Sequence, residues 1–121
     1  MTHENRMPRS VYGVGSEPDP RFTMANERTF LAWIRTALAC IAGGVAIDAI
    51  ALPMPEPLRL ATAAILLLLG LVVPALAWRS WAVTERALRL DRPLPASPVA
   101  AVLAAGVLLV AVLVIVGTLI T

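Results

Sequence analysis

Residues 99–121 read VAAVLAAGVLLVAVLVIVGTLIT, without one charged side chain. As a helix rising 1.5 Å per residue, this run crosses the roughly 30 Å of hydrocarbon in a bilayer. Two more apolar runs precede it, at about residues 30–52 and 58–78, and the three together cover roughly 68 of the 121 positions. The whole chain is 59% apolar and 15% charged, with a mean hydropathy of +0.80. Water-soluble chains carry about 25% charged residues. A soluble domain of this length has too little interior to hide so much apolar surface. The sequence therefore specifies an all-α integral membrane protein with three transmembrane helices, its partner being the lipid bilayer. Residues 19–121 form one three-helix membrane domain.

Prolines mark the breaks between spans. Pro53, Met54, Pro55, Glu56 and Pro57 stop the first helix in a tight turn, because alternating prolines remove amide donors and push their neighbours out of helical geometry. Pro93, Pro95 and Pro98 separate the second span from the third. Within the second span, Pro74 removes the helical bond to the carbonyl of Gly70, which predicts a kink. Beyond Trp78 the helical pattern continues to Leu90, with Glu85 and Arg89 spaced as an i,i+4 pair.

At the other end, Asp19 before Pro20 is a helix-start signal, a capping carboxylate followed by a residue preset for the first helical position. With no proline from Arg21 to Leu52, one helix of about 33 residues is expected, near 50 Å long. Its first turns must stand outside the hydrocarbon. Residues 1–18, with Pro8, Gly13, Gly15 and Pro18, carry no helical or strand period and read as a mobile tail. The first apolar run starts only near Phe30 and is about 23 residues long, so a retained anchor is expected rather than a cleaved leader.

All ten basic side chains are arginines. Arg6, Arg9, Arg21 and Arg28 precede the first span, and Arg79, Arg86, Arg89 and Arg92 lie between the second and third. Only Arg59 stands on the opposite side. The positive-inside rule then predicts a cytoplasmic N-terminus and an extracytoplasmic C-terminus. Phe22, Phe30, Trp33, Trp78 and Trp81 gather at the same interface, where amphipathic rings settle.

The stretch Asn26, Glu27, Arg28, Thr29, Phe30, Leu31, Ala32, Trp33, Ile34, Arg35 puts charge where lipid discourages it. Arg28 and Arg35 are about 20° apart around a helix, and Ala32, Ala39, Ala42 and Ala46 continue their stripe. Arg21 lies two heptads before Arg35 and extends it. Small side chains admit close helix contact, and intramembrane arginine usually faces a bundle interior or a watery cavity. Such a face could form a basic vestibule, since guanidinium forks match phosphate oxygens bidentately. The other reading is that Arg35, about 8 Å of rise beyond Phe30, snorkels to the headgroups. Glu27 could pair with one of these arginines. Asp48, about 140° around the helix from Arg35, could bond Arg59 across the turn or reach the outer headgroups.

No nucleophile with a base, carboxylate pair, metal cluster or phosphate-cradling glycine loop stands out, so the chain is not expected to be an enzyme. His3 and Cys40 are the sole residues of their types. No metal, cofactor or nucleic acid is expected.

Residues 19–50, with Trp78, Arg79, Trp81, Glu85, Arg86, Ala87, Leu88, Arg89, Leu94 and Pro95, resemble the YidH family of small bacterial inner-membrane proteins. That domain is similar to the three-helix membrane domain of the eukaryotic vacuolar transporter chaperone complex, which makes and translocates polyphosphate through a ring of such domains. The resemblance implies an inner-membrane homo-oligomer and makes phosphate or polyphosphate the candidate ligand. By motif position it implies an anion-binding role for Arg21, Arg28 and Arg79, with Arg35 typical of the bacterial branch. Glu27 matches the motif's acidic residue, and Asn26 stands beside it as a supporting residue. The chain lacks that complex's polyphosphate-synthesising and phosphate-sensing domains, so making polyphosphate is out of its reach. A competing expectation is a structural or regulatory subunit of a larger membrane complex, its arginines serving topology and anionic lipid.

Overall fold

The computed structural model describes residues 6–121, which leaves His3 outside the described residues. Helix α1 spans Arg9–Tyr12, α2 Pro20–Ile50, α3 Glu56–Arg89 and α4 Val99–Leu119. Helices α2, α3 and α4 are each long and apolar enough to cross a membrane. The protein is an all-helical, three-span membrane protein, and no strand occurs among the described residues.

Local chemistry fixes the ends. The Asp19 side chain accepts the Arg21 N–H at 2.9 Å, capping α2 with Pro20 in its first turn. Helix α2 closes through Ala51 in the left-handed region, φ 56°, directly before the proline-rich turn. Helix α3 continues through Pro74 to Arg89, so the second span and the polar stretch after it belong to one helix.

Helix α3 is the central element: α2 packs along one side and α4 along another, while α2 and α4 scarcely meet. The side of α2 turned to α3 carries Thr23, Asn26, Phe30, Trp33, Ala37, Cys40, Gly44 and Ile47, all buried or half-buried. This alternation of three and four residues is the seam of near-antiparallel helices. Two glycines let the backbones close in. A Cβ at Gly44 would stand 3.0 Å from the Ala63 carbonyl oxygen, and one at Gly70 would stand 3.2 Å from that of Ala37. Seven residues back along α2 are matched by seven forward along α3, so both contacts belong to one antiparallel register. Without a hydrophobic drive between helices in lipid, such close van der Waals contact holds the pair. Val99 at the start of α4 closes the core with Ala37 and Val73, beside Trp33, Leu76 and Leu103.

The segment expected to be a mobile tail is docked over residues 6–18. Val11 is buried, Ser16 N–H donates to the Arg89 carbonyl at 3.0 Å, and Arg86 Nη1 donates to the Ser10 carbonyl at 3.1 Å. The segment is polar and aperiodic because α3 satisfies its backbone from outside. Gly15, at φ 59°, is the hinge of this contact, since any Cβ there would strike the Arg89 carbonyl.

Candidate functional site

The end of the bundle where α2 begins and α3 finishes is its polar end. Glu85 is 1% exposed and points from α3 into the seam with α2. Its Oε2 accepts from Thr23 Oγ1 at 2.9 Å and its Oε1 from Asn26 Nδ2 at 3.1 Å. Asn26 Nδ2 also donates to the Trp81 carbonyl at 3.1 Å. A buried carboxylate is tolerable only when its oxygens are met by donors, and this one locks the two helices in register. The spacing of Glu85 and Arg89 had suggested an i,i+4 pair. Instead Glu85 serves α2, and Arg89 turns the other way.

The Arg89 side chain is only 4% exposed. Its Nε donates to the Val14 carbonyl at 2.8 Å and its Nη2 to the Tyr12 carbonyl at 3.1 Å, while Nη1 meets Glu17 Oε2 at 3.4 Å. Arg6 lies over the Tyr12 ring, 4.5 Å from its centre, and pairs with the same Glu17 oxygen at 2.6 Å. Burial, and then the field of the Glu85 carboxylate, push the Tyr12 phenol above its ordinary range. Arg89 organises backbone of the N-terminal segment, and Arg6 braces its Tyr12 ring and Glu17.

The stripe on α2 is placed differently. Arg28, Ala32, Arg35, Ala39 and Ala42 are all exposed and stand about 160° around the helix from the seam with α3. Between seam and stripe runs a third line, Leu31, Leu38 and Val45, also exposed and suited to acyl chains. One helix thus carries a packing face, a lipid face and a basic face of small residues. Among the described residues, neither Arg28 nor Arg35 makes an ion pair.

Not all the expected site residues serve that face alike. Arg21 stands on it and is exposed, but its guanidinium reaches back to its own cap, Nη2 to Asp19 Oδ2 at 2.9 Å. That bond and the Arg21 backbone N–H hold the Asp19 carboxyl below its ordinary range. Arg79 lies on the far side of α3 from α2, so a single chain does not bring it to the stripe. Glu27 is exposed and, among the described residues, pairs with none of the arginines. Asn26 is half-buried and donates to the Trp81 carbonyl and to Glu85. Asp48 is exposed and forms no ion pair with Arg59 among the described residues. No group of three or more His, Cys, Asp or Glu suited to a metal ion occurs among the described residues.

Sequence reasoning missed Thr23 with Glu85, and Tyr12 with Arg89. The first pair left a signal: Thr23 and Asn26 continue the three-four spacing of the small residues on α2. The second left none, because its partners are separated by most of the chain.

Residues 21–87 match the family described as Domain of unknown function (DUF202). An uncharacterized protein of Mycobacterium tuberculosis (strain H37Rv) is 40% identical over 97 residues, covering 79% of this chain and 80% of that protein. Inner membrane protein YidH of Escherichia coli (strain K12) is 45% identical over 85 residues, covering 68% of this chain and 72% of that protein. No solved structure matches the chain.

Proposed function

Because this chain belongs to the DUF202 family, a domain of unknown function, we propose that it is a non-enzymatic subunit of a homo-oligomeric assembly in a bacterial inner membrane, with Arg28 and Arg35 lining a cytoplasmic vestibule for phosphate-type anions. The observation that carries this reading is the division of the α2 surface. A helix turned outward only to lipid would be covered by large apolar residues, as α4 is with Leu108, Leu109, Val112, Ile115 and Leu119. The Arg28 face has alanines instead, which suit close approach of a second copy beside a watery path. Arg35, about 8 Å of rise beyond Phe30, is disfavoured against lipid by less than the about 2.5–3.5 kcal/mol of an arginine at the centre of a span, and a shared aqueous path relieves that cost. Exposed Ala101 and Ala105 on α4 offer a second small-residue contact between copies.

Repeated around an axis, Arg28 and Arg35 would form two rings of positive charge about 10 Å apart along the helix. Their mutual repulsion is relieved by a multivalent anion. Polyphosphate is the candidate put forward by the resemblance to the vacuolar transporter chaperone membrane domain. The eight-to-one distribution of loop arginines supports the cytoplasmic placement of this end.

Thermal stability of the purified protein at low salt, with and without polyphosphate, tests the reading. A ligand that binds only the folded state raises stability by mass action, by about 2.7 kcal/mol at a hundredfold excess over its Kd. Arg28→Ala and Arg35→Ala should each reduce the gain, and Arg92→Ala in the loop should not. Arg35→Lys keeps the charge but loses the bidentate fork, so it should recover part of it. Native mass spectrometry should show several identical chains. An equal or absent shift in wild type and both variants would leave the stripe a snorkelling anchor. A large stoichiometric partner in place of identical copies would favour the structural-subunit alternative.

A further inference from the structure

The connection between α3 and α4 builds a separate polar cavity. Its last residues fold back on α3, where Ser97 Oγ lies 2.9 Å from Ser80 Oγ and accepts the Val99 N–H at 3.3 Å. Between the two segments is a cavity of about 220 Å³, lined among others by Arg79, Ser80, Val83, Thr84, Ser97 and Pro98. That volume is several times the roughly 30 Å³ of one water and below the roughly 300–1,000 Å³ of pockets for drug-sized ligands.

Its depth follows from the sequence. Arg79 is the first charged residue after the apolar run of α3, and Val99 opens the apolar run of α4. The cavity lies at the boundary these two residues share, where lipid phosphates sit, and Trp33 and Trp81 line an adjoining pocket that shares Ser80, Thr84 and Ser97 with it. The Arg79 guanidinium is exposed and, among the described residues, has no carboxylate partner.

We propose that this cavity binds the phosphate group of a phosphate ester, with a phospholipid headgroup as the source its depth favours. Arg79 presents two parallel N–H donors to two phosphate oxygens. The Thr84 hydroxyl and the proton left over from the Ser80–Ser97 pair serve the others. The N-terminal end of α4, which Pro98 brings to the wall, adds a favourable dipole. Val83 and Pro98 offer apolar wall to the glycerol and the first acyl carbons. This site stands apart from the α2 stripe and shares no residue with it.

Titration of the purified full-length protein, followed by native mass spectrometry and tryptophan fluorescence, tests the assignment. The probes are a short-chain phosphatidylglycerol, a diacylglycerol of the same chain length, and inorganic phosphate. Phosphatidylglycerol should bind and diacylglycerol should not. Arg79→Gln should weaken phosphatidylglycerol binding about tenfold or more, Ser80→Ala should weaken it less, and Arg79→Lys should restore part of it. Arg28→Ala should leave it unchanged, so failure here and failure of the α2 reading are distinguishable. Displacement of the lipid by millimolar inorganic phosphate would support the same site with a soluble source, whereas resistance to displacement would support a lipid source. Wild-type affinity in a folded Arg79→Gln protein, or equal binding of diacylglycerol, would overturn the proposal.

Discussion

Replacing Arg89 by alanine should release the N-terminal segment from α3 while leaving the three spans in place. The guanidinium supplies hydrogen bonds to the Val14 and Tyr12 carbonyls and a contact to Glu17. Hydrogen bonds to a charged group contribute about 1.5–3 kcal/mol each, although water can reach the freed carbonyls once the segment lifts. With that recovery, a loss of about 2–4 kcal/mol in docking free energy is expected, which multiplies the undocked population about thirty- to a thousandfold. The Ser16 N–H bond to the Arg89 carbonyl survives the substitution, because it uses only the backbone of residue 89. Amide hydrogen exchange of peptides from residues 6–18 reads this population directly. Protection should fall in that segment and stay unchanged in α2 beyond Phe30. Arg89→Lys, with one compact cation in place of a fork, should give an intermediate result. If protection in residues 6–18 is the same in wild type and Arg89→Ala, the guanidinium does not hold the segment and the reasoning fails.

Three further outcomes follow from the seam and the cap. Gly44→Ala should destabilise the purified protein by about 1 kcal/mol, since overpacking costs roughly 1–3 and better helix propensity returns about 1. Gly43→Ala, whose Cβ would meet only Leu66 at an ordinary 3.6 Å, should be neutral or better, and like behaviour of the two variants in detergent unfolding would refute the close-approach argument. Glu85→Ala should cost about 1–3 kcal/mol by stranding the Thr23 and Asn26 donors, Glu85→Gln should cost less, and a coupling of about 0.5 kcal/mol or more to Asn26→Ala in a double-mutant cycle would tie the effect to that bond. Asp19 has a folded pKa below its ordinary value, so its cap stabilises α2 above that value and is lost as pH falls through the lowered one; exchange protection of the first turn of α2 should drop below about pH 4 in wild type, and Asp19→Asn should lack that acid limb.

The three long helices and where they start and stop were legible because they depend on local chemistry. Asp19 and Pro20 start α2 by capping, prolines 53, 55 and 57 end it, and uninterrupted apolar sequence makes α4. The register of Arg28 with Arg35 was legible too, being a property of one helix. Which side of that helix meets α3 was harder to read, because in lipid the packed face is marked by small residues, and alanines occur on both sides. The N-terminal segment was illegible for a different reason. Its order depends on Arg89 reaching Val14 across 75 positions, and no local pattern encodes such a contact. Arg89 itself read as an ordinary helix-surface charge until its partners were in place.

The central position of α3 bears on biosynthesis. When the ribosome has added residue 90, every partner of the α2–α3 seam exists, including the glycine contacts, the Glu85 bonds and the Arg89 clamp. That helical hairpin can leave the insertion machinery as a finished unit. Helix α4 is made last, has the highest hydropathy of the three, 3.2, and needs no partner to enter the bilayer. It then joins a surface that is already formed, so a defect in α4 should leave a membrane-inserted hairpin with its polar end assembled rather than a chain stranded in the aqueous phase.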